Sequence, residues 1–351
     1  MSRILMVTKD IGSANVISPI AKLAREAGNE ILLIVEGLAA KEMDNIGIPF
    51  YFRGTENFMT EPFSIDAHAV VKRLKSLDGG LNCVITGLSA PINLEQEFGL
   101  TANELKVPLV EIECFWGDSI KSKAIPQIIF TLDESVTPVL KNRHPKSEIL
   151  VAGNPGVVHV ENISPHPEIA ELRKKYDKLI CYAGGGENTS LEISFLLECL
   201  KQTKGNWCLI FKPHPKYAKL DDPKHRGKKY LEVWEGMLSI LGDRLARNLY
   251  SMKADDVVCS TDMTIASFST LLTTGAVAGK TAISLWLPST KKELFEETGL
   301  LQVPIVTLGC AHEVSEPIDL ASLSPPAEQN LKKIVPYDPE FVLGKIKELI
   351  G

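Results

Sequence analysis

Closely spaced cysteines are missing from this sequence. Its seven cysteines include no C-x-x-C pair and none of the short spacings that are typical of metal ligands. Cys83, Cys181, Cys208 and Cys259 lie inside apolar runs, as small buried hydrophobic side chains usually do. An odd number of buried thiols argues against a disulfide framework and favours a reducing compartment.

A positive net charge and long apolar runs are also absent. The formal net charge is −6 and the pI is about 5.8, so we expect no nucleic-acid partner, and any phosphate binding has to be local. No run approaches the roughly 20 apolar residues of a membrane span. The first apolar run, over residues 4–8, is too short for a signal peptide. We therefore predict a cytoplasmic protein without a transmembrane segment.

Internal repeats and low-complexity tracts are lacking too, and the remaining composition is that of a globular protein. The chain has 351 residues, of which 44% are hydrophobic and 23% are charged, and this length predicts about two domains. A strand pattern over residues 4–8, a helix pattern over 17–27 and a strand pattern over 30–35 form a βαβ unit. Such a unit predicts a parallel, doubly wound sheet.

The alternation of strands and helices continues through two halves of similar size. We predict one Rossmann-like domain over residues 1–158, a second over 159–335, and a terminal helix over 336–351. Turn-forming residues at 158–167 are the predicted linker. The predicted fold class is α/β, with two doubly wound Rossmann-like domains facing across a cleft. In the second half, residues 256–260 and 305–308 are predicted strands.

A short apolar run at residues 207–211 suits a buried parallel strand, and a cationic stretch follows it directly. Lys212 and His214 alternate there with Pro213 and Pro215. Because proline lacks an N–H, we expect these prolines to end the strand ladder and stiffen the loop. Open α/β sheets bind ligands at the carboxyl ends of their strands. We therefore predict that Lys212 and His214 contact an anionic ligand; a solvent-exposed turn is the alternative.

Three glycines, Gly184, Gly185 and Gly186, stand between a predicted strand and a predicted helix, and Glu187 follows them. Glycine lets the backbone approach a ligand closely, and the free N–H groups of a helix start favour an anion. The stretch is neither a Walker loop nor a G-x-G-x-x-G motif. A phosphate contact and a tight turn with a helix cap are both open interpretations.

A third loop of the second half is rich in hydroxyl groups. It follows the strand predicted over residues 256–260 and contains Ser267, Ser269 and Thr270. Hydroxyl and N–H groups at a helix start suit phosphate, whereas a hydroxyl-rich cap is the alternative. Because all three loops follow predicted parallel strands, we expect them to converge on one edge of one sheet.

In the first half, polar residues follow two predicted strands. Asp10, Gly12 and Ser13 lie in a predicted loop after the first strand, and Glu113 ends the strand predicted over residues 107–113. A carboxylate at this edge would act as a general base for an attacking hydroxyl, so Asp10 and Glu113 are the candidate bases. A helix cap or a solvent-exposed loop acid is the alternative. Trp116 is a candidate for packing on a sugar ring, with the rim of the core as its alternative position.

These residues resemble those of the GT-B glycosyltransferase superfamily. The matching motifs are the Lys-Pro-His-Pro loop at 212–215, the serine-rich loop at 266–270 leading to Gly279-Lys280, the glycines at 184–186, and residues 151–155. The likeness is greatest to bacterial branches with a Lys-Pro-His-Pro loop, such as capsule and cell-surface polymer transferases and poly(glycerol phosphate) transferases. UDP-N-acetylglucosamine 2-epimerases share the same architecture.

This resemblance implies a donor site in the second domain and an acceptor side in the first. In similar proteins the two loops hold the phosphates of the donor, which carries over to Lys212, His214, Ser267, Ser269 and Thr270. Further donor contacts are implied for Gly12 and Ser13 and for the segment from Gly184 to Glu187. The resemblance also implies that the C-terminal helix crosses back onto the first domain.

One position departs from the family pattern. Many relatives place a glutamate that binds the donor ribose in the helix after the serine-rich loop, where this chain has Thr273 and Thr274. A different nucleotide, a different phosphate ligand and loss of activity are therefore open alternatives. The GT-B type needs no Asp-x-Asp metal site, so we predict no metal and no cofactor, with the nucleotide sugar as substrate.

The leading hypothesis is a metal-independent glycosyltransferase that moves a sugar or related activated group from a nucleotide donor to an acceptor hydroxyl. Lys212, His214 and the two other loops would neutralise the departing diphosphate. Asp10 or Glu113 would accept the proton. The alternatives are an isomerase similar to the 2-epimerases and a non-catalytic binding protein. The expected partners are a nucleotide sugar and a glycan or small-molecule acceptor, and formation of a homodimer stays open.

Overall fold

The computed structural model spans the whole chain and describes residues 1–45, 47, 49–53, 65–89, 92–157, 160, 166–186, 188–214, 226–247 and 249–351. The chain divides into two compact units. Unit 1 consists of Met1–Pro155, Glu297–Leu300 and Val335–Gly351, and unit 2 consists of Gly156–Glu296 and Leu301–Ile334. The linker predicted at residues 158–167 lies for the most part outside the described residues.

The strands are short and follow one another in both units. In chain order they are β1 (Arg3–Thr8), β2 (Glu30–Glu36), β3 (Tyr51–Arg53), β4 (Cys83–Gly87), β5 (Leu109–Ile112), β6 (Ile128–Thr131), β7 (Glu148–Val151), β8 (Lys178–Gly184), β9 (Trp207–Pro213), β10 (Leu245–Ala246), β11 (Met263–Ala266), β12 (Thr281–Leu285) and β13 (His312–Val314).

The helices alternate with these strands. In chain order they are α1 (Ile11–Glu26), α2 (Leu38–Asn45), α3 (Ala67–Lys75), α4 (Leu94–Glu104), α5 (Thr137–Arg143), α6 (Pro167–Arg173), α7 (Thr189–Gln202), α8 (Arg226–Leu238), α9 (Ala254–Ser260), α10 (Leu271–Val277), α11 (Pro288–Thr298), α12 (Pro304–Thr307), α13 (Glu328–Leu331) and α14 (Pro339–Ile350). Short 3-10 helices cover Asp118–Lys121, Glu134–Val136, Pro155–Val157, Ser239–Arg244 and Leu320–Ser322. Among the described residues, no helix combines the length and the apolarity that crossing a bilayer requires.

The sheet of unit 1 has seven strands in the order β3-β2-β1-β4-β5-β6-β7, and all neighbouring strands are parallel. Residues on its two faces pack into two separate hydrophobic clusters, one containing Ile4 and Met6, the other Leu5 and Val7. A sheet that is covered on both faces needs strands that are apolar at successive positions, as β1 is.

The sheet of unit 2 has six strands in the order β10-β9-β8-β11-β12-β13, again all parallel. In each sheet the strand order reverses once, between β1 and β4 in unit 1 and between β8 and β11 in unit 2. Such a switch point opens a crevice at the carboxyl ends of the strands. The predicted α/β class with two doubly wound sheets is confirmed.

Helix α1 begins at Ile11, six residues before the predicted helix. Asp10 is its N-cap: the Asp10 carboxylate accepts a hydrogen bond from the Ser13 backbone N–H at 2.9 Å, and the Ser13 hydroxyl accepts one from the Asp10 N–H at 3.2 Å. This reciprocal capping box satisfies donors that an uncapped helix end would leave open. Gly12 and Ser13 therefore lie in the first turn of a helix, and the predicted loop at this point is wrong.

Two predicted strands of unit 2 are helices. Ala254–Ser260 is α9, where Asp255 and Asp256 in the first turn suit the positive end of the helix dipole. Pro304–Thr307 is α12, with proline at the start of the helix, where its missing N–H costs nothing. The strands that follow are β11 and β13 instead. Short apolar runs do not distinguish a buried strand from a buried helix by periodicity alone.

Strand β9 continues through Pro213, which was expected to end the ladder. Pro213 pairs with Gly184 of β8, and the next residue, His214, donates its N–H to the Gly184 carbonyl at 2.8 Å. Because consecutive residues of a strand direct their N–H groups to opposite sides, the missing N–H of Pro213 faces the side of β10. Pairing on that side has already ended at Ala246. Proline is tolerated here because no ladder bond is lost.

The C-terminal segment belongs to unit 1. Helix α14 packs against α1, and the Tyr337 hydroxyl donates to the Val16 carbonyl at 2.7 Å. Asn154, just after β7, donates its N–H to the Val335 carbonyl at 2.8 Å. The motif at residues 151–155 thus docks the returning chain.

Candidate functional site

The glycine loop lies at the carboxyl end of β8 and contacts the end of β9. A methyl group on Gly185 would overlap the Cβ of His214, so only glycine allows this approach. The backbone N–H groups of Gly185 and Gly186 both donate to the Thr189 hydroxyl oxygen at 3.0 Å. His214 is exposed beside them. Glu187 lies outside the described residues. The structure therefore brings His214 and the predicted glycine loop into direct contact.

The Lys212 side chain contacts backbone carbonyl groups in the turn after β10. Its Nζ donates to the carbonyl oxygens of Tyr250 at 2.7 Å and Leu249 at 3.5 Å, and also to that of Met252. The side chain is buried, and burial lowers the pKa of its ammonium group. An ammonium group has three N–H donors, and three carbonyls take them. The expectation that Lys212 contacts the donor does not match this placement, because Lys212 holds the turn after β10.

The serine-rich loop lies at the carboxyl end of β11, the strand next to β8. Ser267 is buried, and its carbonyl accepts a hydrogen bond from the Ser284 hydroxyl at 2.6 Å. Ser269 and Thr270 are half-buried and precede α10, and the Leu271 N–H donates to the Ser269 hydroxyl at 3.3 Å. The three predicted loops thus follow the adjacent strands β9, β8 and β11.

A buried carboxyl group connects two of these loops, and the sequence analysis missed it. Glu192 of α7 accepts a hydrogen bond from the Tyr182 hydroxyl of β8 at 2.8 Å. The Ser267 hydroxyl lies beside the same carboxylate, without reaching ideal hydrogen-bond geometry. Burial raises the pKa of Glu192, while the two hydroxyls favour its charged form. A glutamate in the first turn of a helix after a glycine loop was the available signal, but it is equally typical of a solvated helix start.

A second carboxyl group lies over the start of α7. The Asn188 side-chain amide donates to Oε2 of Glu293 at 2.6 Å, and Glu293 belongs to α11. A methyl group on Gly186 would lie 3.0 Å from Oε1 of Glu293. The glycine loop is therefore covered on one side by a carboxylate that is 105 positions away from Asn188 in the chain.

Thr274, one of the two threonines at the position where the resemblance implies a ribose-binding glutamate, is buried. Its hydroxyl donates to Oδ1 of Asp255 at 3.4 Å, a bond between α10 and α9. Thr273 beside it is also buried. The Thr274 side chain therefore contributes to packing between two helices.

In unit 1, Glu113 is a buried residue with both oxygens in hydrogen bonds. The Ser119 N–H donates to Oε1 at 3.0 Å and the Thr131 hydroxyl donates to Oε2 at 2.7 Å. Burial raises the pKa of Glu113 to about 7. Trp116 is also buried, and its Nε1 donates to Asp133 at 2.6 Å, so it packs in the core and does not present a face to a sugar.

Acidic groups gather near the switch point of unit 1. Burial raises the pKa of Glu95 to about 7 and that of Asp118 well above its usual range, and the negative charge of Asp10 raises both further. One oxygen of Glu95 accepts a hydrogen bond from the Ser89 hydroxyl at 2.6 Å, whereas the other has no hydrogen-bond partner among the residues that the structure describes. Cys114 lies against Gly12 and within 3.6 Å of Asp118. Of these acids only Asp10 was singled out from the sequence as a base, because the others come together only through the fold.

No cluster of metal-ligating side chains appears in the part of the chain that the structure describes. The glycine loop, His214 and the serine-rich loop lie at the carboxyl ends of the adjacent strands β8, β9 and β11.

Comparison with known proteins gives matches at the level of structure. No family model matches the chain, and no curated protein matches it in sequence. Anabaena HepE in complex with UDP-glucose superposes with a TM-score of 0.65 and 11% identity, covering 99% of this chain and 99% of that chain. A glycosyltransferase from Rickettsia africae has a TM-score of 0.63 and 14% identity, covering 99% and 97%. UDP-N-acetylglucosamine 2-epimerase from Rickettsia bellii has a TM-score of 0.60 and 14% identity, covering 100% and 96%.

These matches extend over nearly the full length of this chain and of each neighbour. At such low sequence identities they establish the architecture. The sheet orders of the two units are those of Rossmann-like domains. The chain therefore has the fold of the GT-B superfamily.

Proposed function

We propose that the protein is a transferase that uses a UDP-sugar, with the diphosphate bound at the carboxyl ends of β9, β8 and β11. The observation that carries this proposal is the adjacency of the three loops at the switch point of unit 2, where His214 contacts Gly185. Open α/β sheets bind nucleotides at this position. The presence of UDP-glucose in the structure of HepE, which shares the fold, supports the choice of nucleotide.

The departing diphosphate would be stabilised by neutral dipoles and one imidazole. Helix α7 starts directly after the glycine loop, and the partial positive charge of its first turn favours an anion. The hydroxyls of Ser269 and Thr270 and the exposed His214 imidazole are the further donors in this proposal. Preorganised donors of this kind stabilise the charge that develops in the transition state. Lys212 has no part in it, because carbonyl groups take its donors.

We assign the proton acceptor to Glu95, with Asp10 beside it. Glu113 has both oxygens in hydrogen bonds, whereas one oxygen of Glu95 accepts none from the described part of the chain. A pKa raised to about 7 also suits a general base, because such a group is partly deprotonated near neutral pH and still binds a proton well.

Calorimetry with UDP, CMP, CDP and GDP tests the proposal. We expect UDP to bind the wild-type protein and His214→Ala to weaken this binding about tenfold, since one donor to the phosphate is lost. Binding of none of the four nucleotides to the folded protein would refute the proposal. Release of UDP from UDP-glucose or UDP-N-acetylglucosamine in the presence of acceptor candidates then identifies the reaction, whereas UDP binding without release supports a binding protein.

An isomerase is the second candidate, and the acidic cluster of unit 1 favours it. Epimerisation of a sugar requires proton removal and return, and Asp10, Glu95 and Asp118 provide several acidic groups around one point. Incubation with UDP-N-acetylglucosamine followed by NMR separates the two reactions. A changed sugar still attached to UDP indicates an isomerase, and free UDP indicates a transferase.

A further inference from the structure

The start of α7 already carries an anion that belongs to the protein. Oε2 of Glu293 accepts a hydrogen bond from the Asn188 side chain at 2.6 Å, and Oε1 lies against Gly186. Asn188 directly precedes the first residue of α7. The carboxylate therefore lies beside the start of α7, next to the glycine loop at which the proposed function places a phosphate.

Electrostatics explain why a carboxylate is stable there and also why it is exchangeable. Helix α7 has 14 residues, and the N-terminal end of its dipole attracts negative charge. Glu192, however, is buried close by, and the charge of Glu293 raises the pKa of Glu192 further after the larger effect of burial. Two carboxylates near one helix start repel each other. The dipole of α7 thus attracts the Glu293 carboxylate, while the nearby Glu192 carboxylate repels it.

The two carboxylates differ in how firmly they are held. Glu192 is 4% exposed and accepts a hydrogen bond from Tyr182, so it is part of the core. Glu293 is half-buried and reaches the loop from α11, where its neighbours Lys292 and Glu296 are exposed. A half-buried glutamate side chain can rotate away without opening the core. Glu293 is therefore the group that an incoming anion would displace.

We propose that Glu293 is an internal substitute for the substrate phosphate, and that a diphosphate ligand has to displace it in order to bind. This inference rests on the proposed function, because it takes the ligand to be a diphosphate. The occupied position lowers the affinity for the ligand, and the negative charge excludes weaker anions from the loop. Glu293 is thus a residue that sets affinity and selectivity at the donor site.

The test compares the wild-type protein with Glu293→Gln, using inorganic pyrophosphate and UDP as probes in calorimetry. Glutamine keeps the size of the side chain and its hydrogen bond from Asn188 but removes the negative charge. We expect pyrophosphate and UDP to bind Glu293→Gln about threefold to tenfold more tightly, the range expected for removing one competing charge at a helix start. Melting temperatures of both proteins confirm that the fold is retained.

Glu296→Gln is the matched control, since it removes the same charge from an exposed position of the same helix, where Glu296 pairs with Lys292 at 3.8 Å. We expect its affinities to equal those of the wild type. An equal gain in both variants would overturn the inference, because net charge alone would explain it. Unchanged or weaker pyrophosphate binding in Glu293→Gln would also overturn it.

The experiment separates this inference from the proposed function. If UDP binds wild type and Glu293→Gln equally well, the proposed donor site is supported, and the inference that Glu293 occupies the phosphate position is refuted. If pyrophosphate gains affinity in Glu293→Gln while UDP binds neither protein, the anion position stands and the UDP-sugar function fails.

Discussion

Burial combined with complete hydrogen bonding decides what Lys212 and Glu113 can do in this protein. Lys212 is 6% exposed and Glu113 is 2% exposed, and hydrogen bonds from or to neighbouring groups engage the polar atoms of both. A buried charge without partners would cost several kcal/mol, so such residues persist inside a fold only when they are paired. Their chemistry is directed inwards, and they stabilise the segments that carry the exposed groups.

Substitution of Lys212 by methionine separates a structural role from a role in ligand binding. Methionine fills a similar volume but leaves the carbonyls of Leu249, Tyr250 and Met252 without a donor. We expect Lys212→Met to lower the free energy of unfolding by about 1–3 kcal/mol, the cost of unsatisfied buried polar groups, while UDP affinity stays within about twofold of wild type. Lys201→Met, at an exposed ion pair, should change neither quantity. A large loss of UDP affinity with unchanged stability would instead show that Lys212 contacts the donor.

Glutamine substitutions distinguish the two buried acids of unit 1. Glu95→Gln removes the group assigned as the proton acceptor, so we expect the rate of UDP release from the bound UDP-sugar to fall about 100-fold or more. Glu113→Gln keeps acceptor and donor atoms next to Ser119 and Thr131, and we expect a rate close to that of the wild type. UDP affinity, measured by calorimetry, should be unchanged in both. A greater loss of rate in Glu113→Gln would return the catalytic role to Glu113.

At the scale of elements, local signals in the chain decided some boundaries, and contacts distant in sequence decided others. The strand–glycine–helix pattern of β8 and α7 and the apolar run of β9 were predicted from short segments. The helical state of residues 254–260 was not, because Asp255-Asp256-Val257-Val258 is compatible with either state until its neighbours are known. Likewise, Pro213 looks like a strand terminator unless the early end of β10 is known.

The docking of the C-terminal segment gives a sharp test at this scale. Gly153 has φ +92° and faces Pro336, so a side chain there would overlap the Pro336 carbonyl as well as adopt an unfavourable backbone conformation. We expect Gly153→Ala to lower the free energy of unfolding by more than about 2 kcal/mol, measured by urea denaturation. Gly344→Ala, in an open position of α14, should instead raise it by about 0.5–1 kcal/mol through helix propensity. Equal small effects would show that the segment is only loosely docked.

At the scale of the whole molecule, buried glutamates of unit 1 stay protonated at pH values at which the same glutamates are ionised in the unfolded chain. Burial raises the pKa values of Glu95, Glu111 and Glu113 from 4.5 to about 7. The folded chain therefore binds more protons than the unfolded chain between these values. The free energy of unfolding consequently decreases as the pH rises through this window, which is opposite to the effect of carboxylates in surface ion pairs.

The pH dependence of the melting temperature measures this contribution. Between about pH 5 and about pH 8, we expect the melting temperature of the double variant Glu111→Gln/Glu113→Gln to fall less than that of the wild type. Glutamine has no carboxyl proton to release, so its side chain is neutral at both pH values. Glu340→Gln, at an exposed position of α14, serves as the control and should follow the wild-type profile. Parallel profiles for the double variant and the wild type would contradict the buried-carboxyl account.

Although the strand before the serine-rich loop was predicted at residues 256–260, which form α9, the sequence by itself determined the α/β class, the two doubly wound sheets and the loops that follow β8 and β9. These features depend on the period of apolar residues and on glycine, proline and hydroxyl residues at strand ends, all of which are local. Only the tertiary structure decided the direction of Lys212, the pairing of Glu192 with Tyr182, and the position of Glu293 over Gly186. Each of these joins residues from separate elements, and burial and electrostatic coupling arise only when those elements pack together.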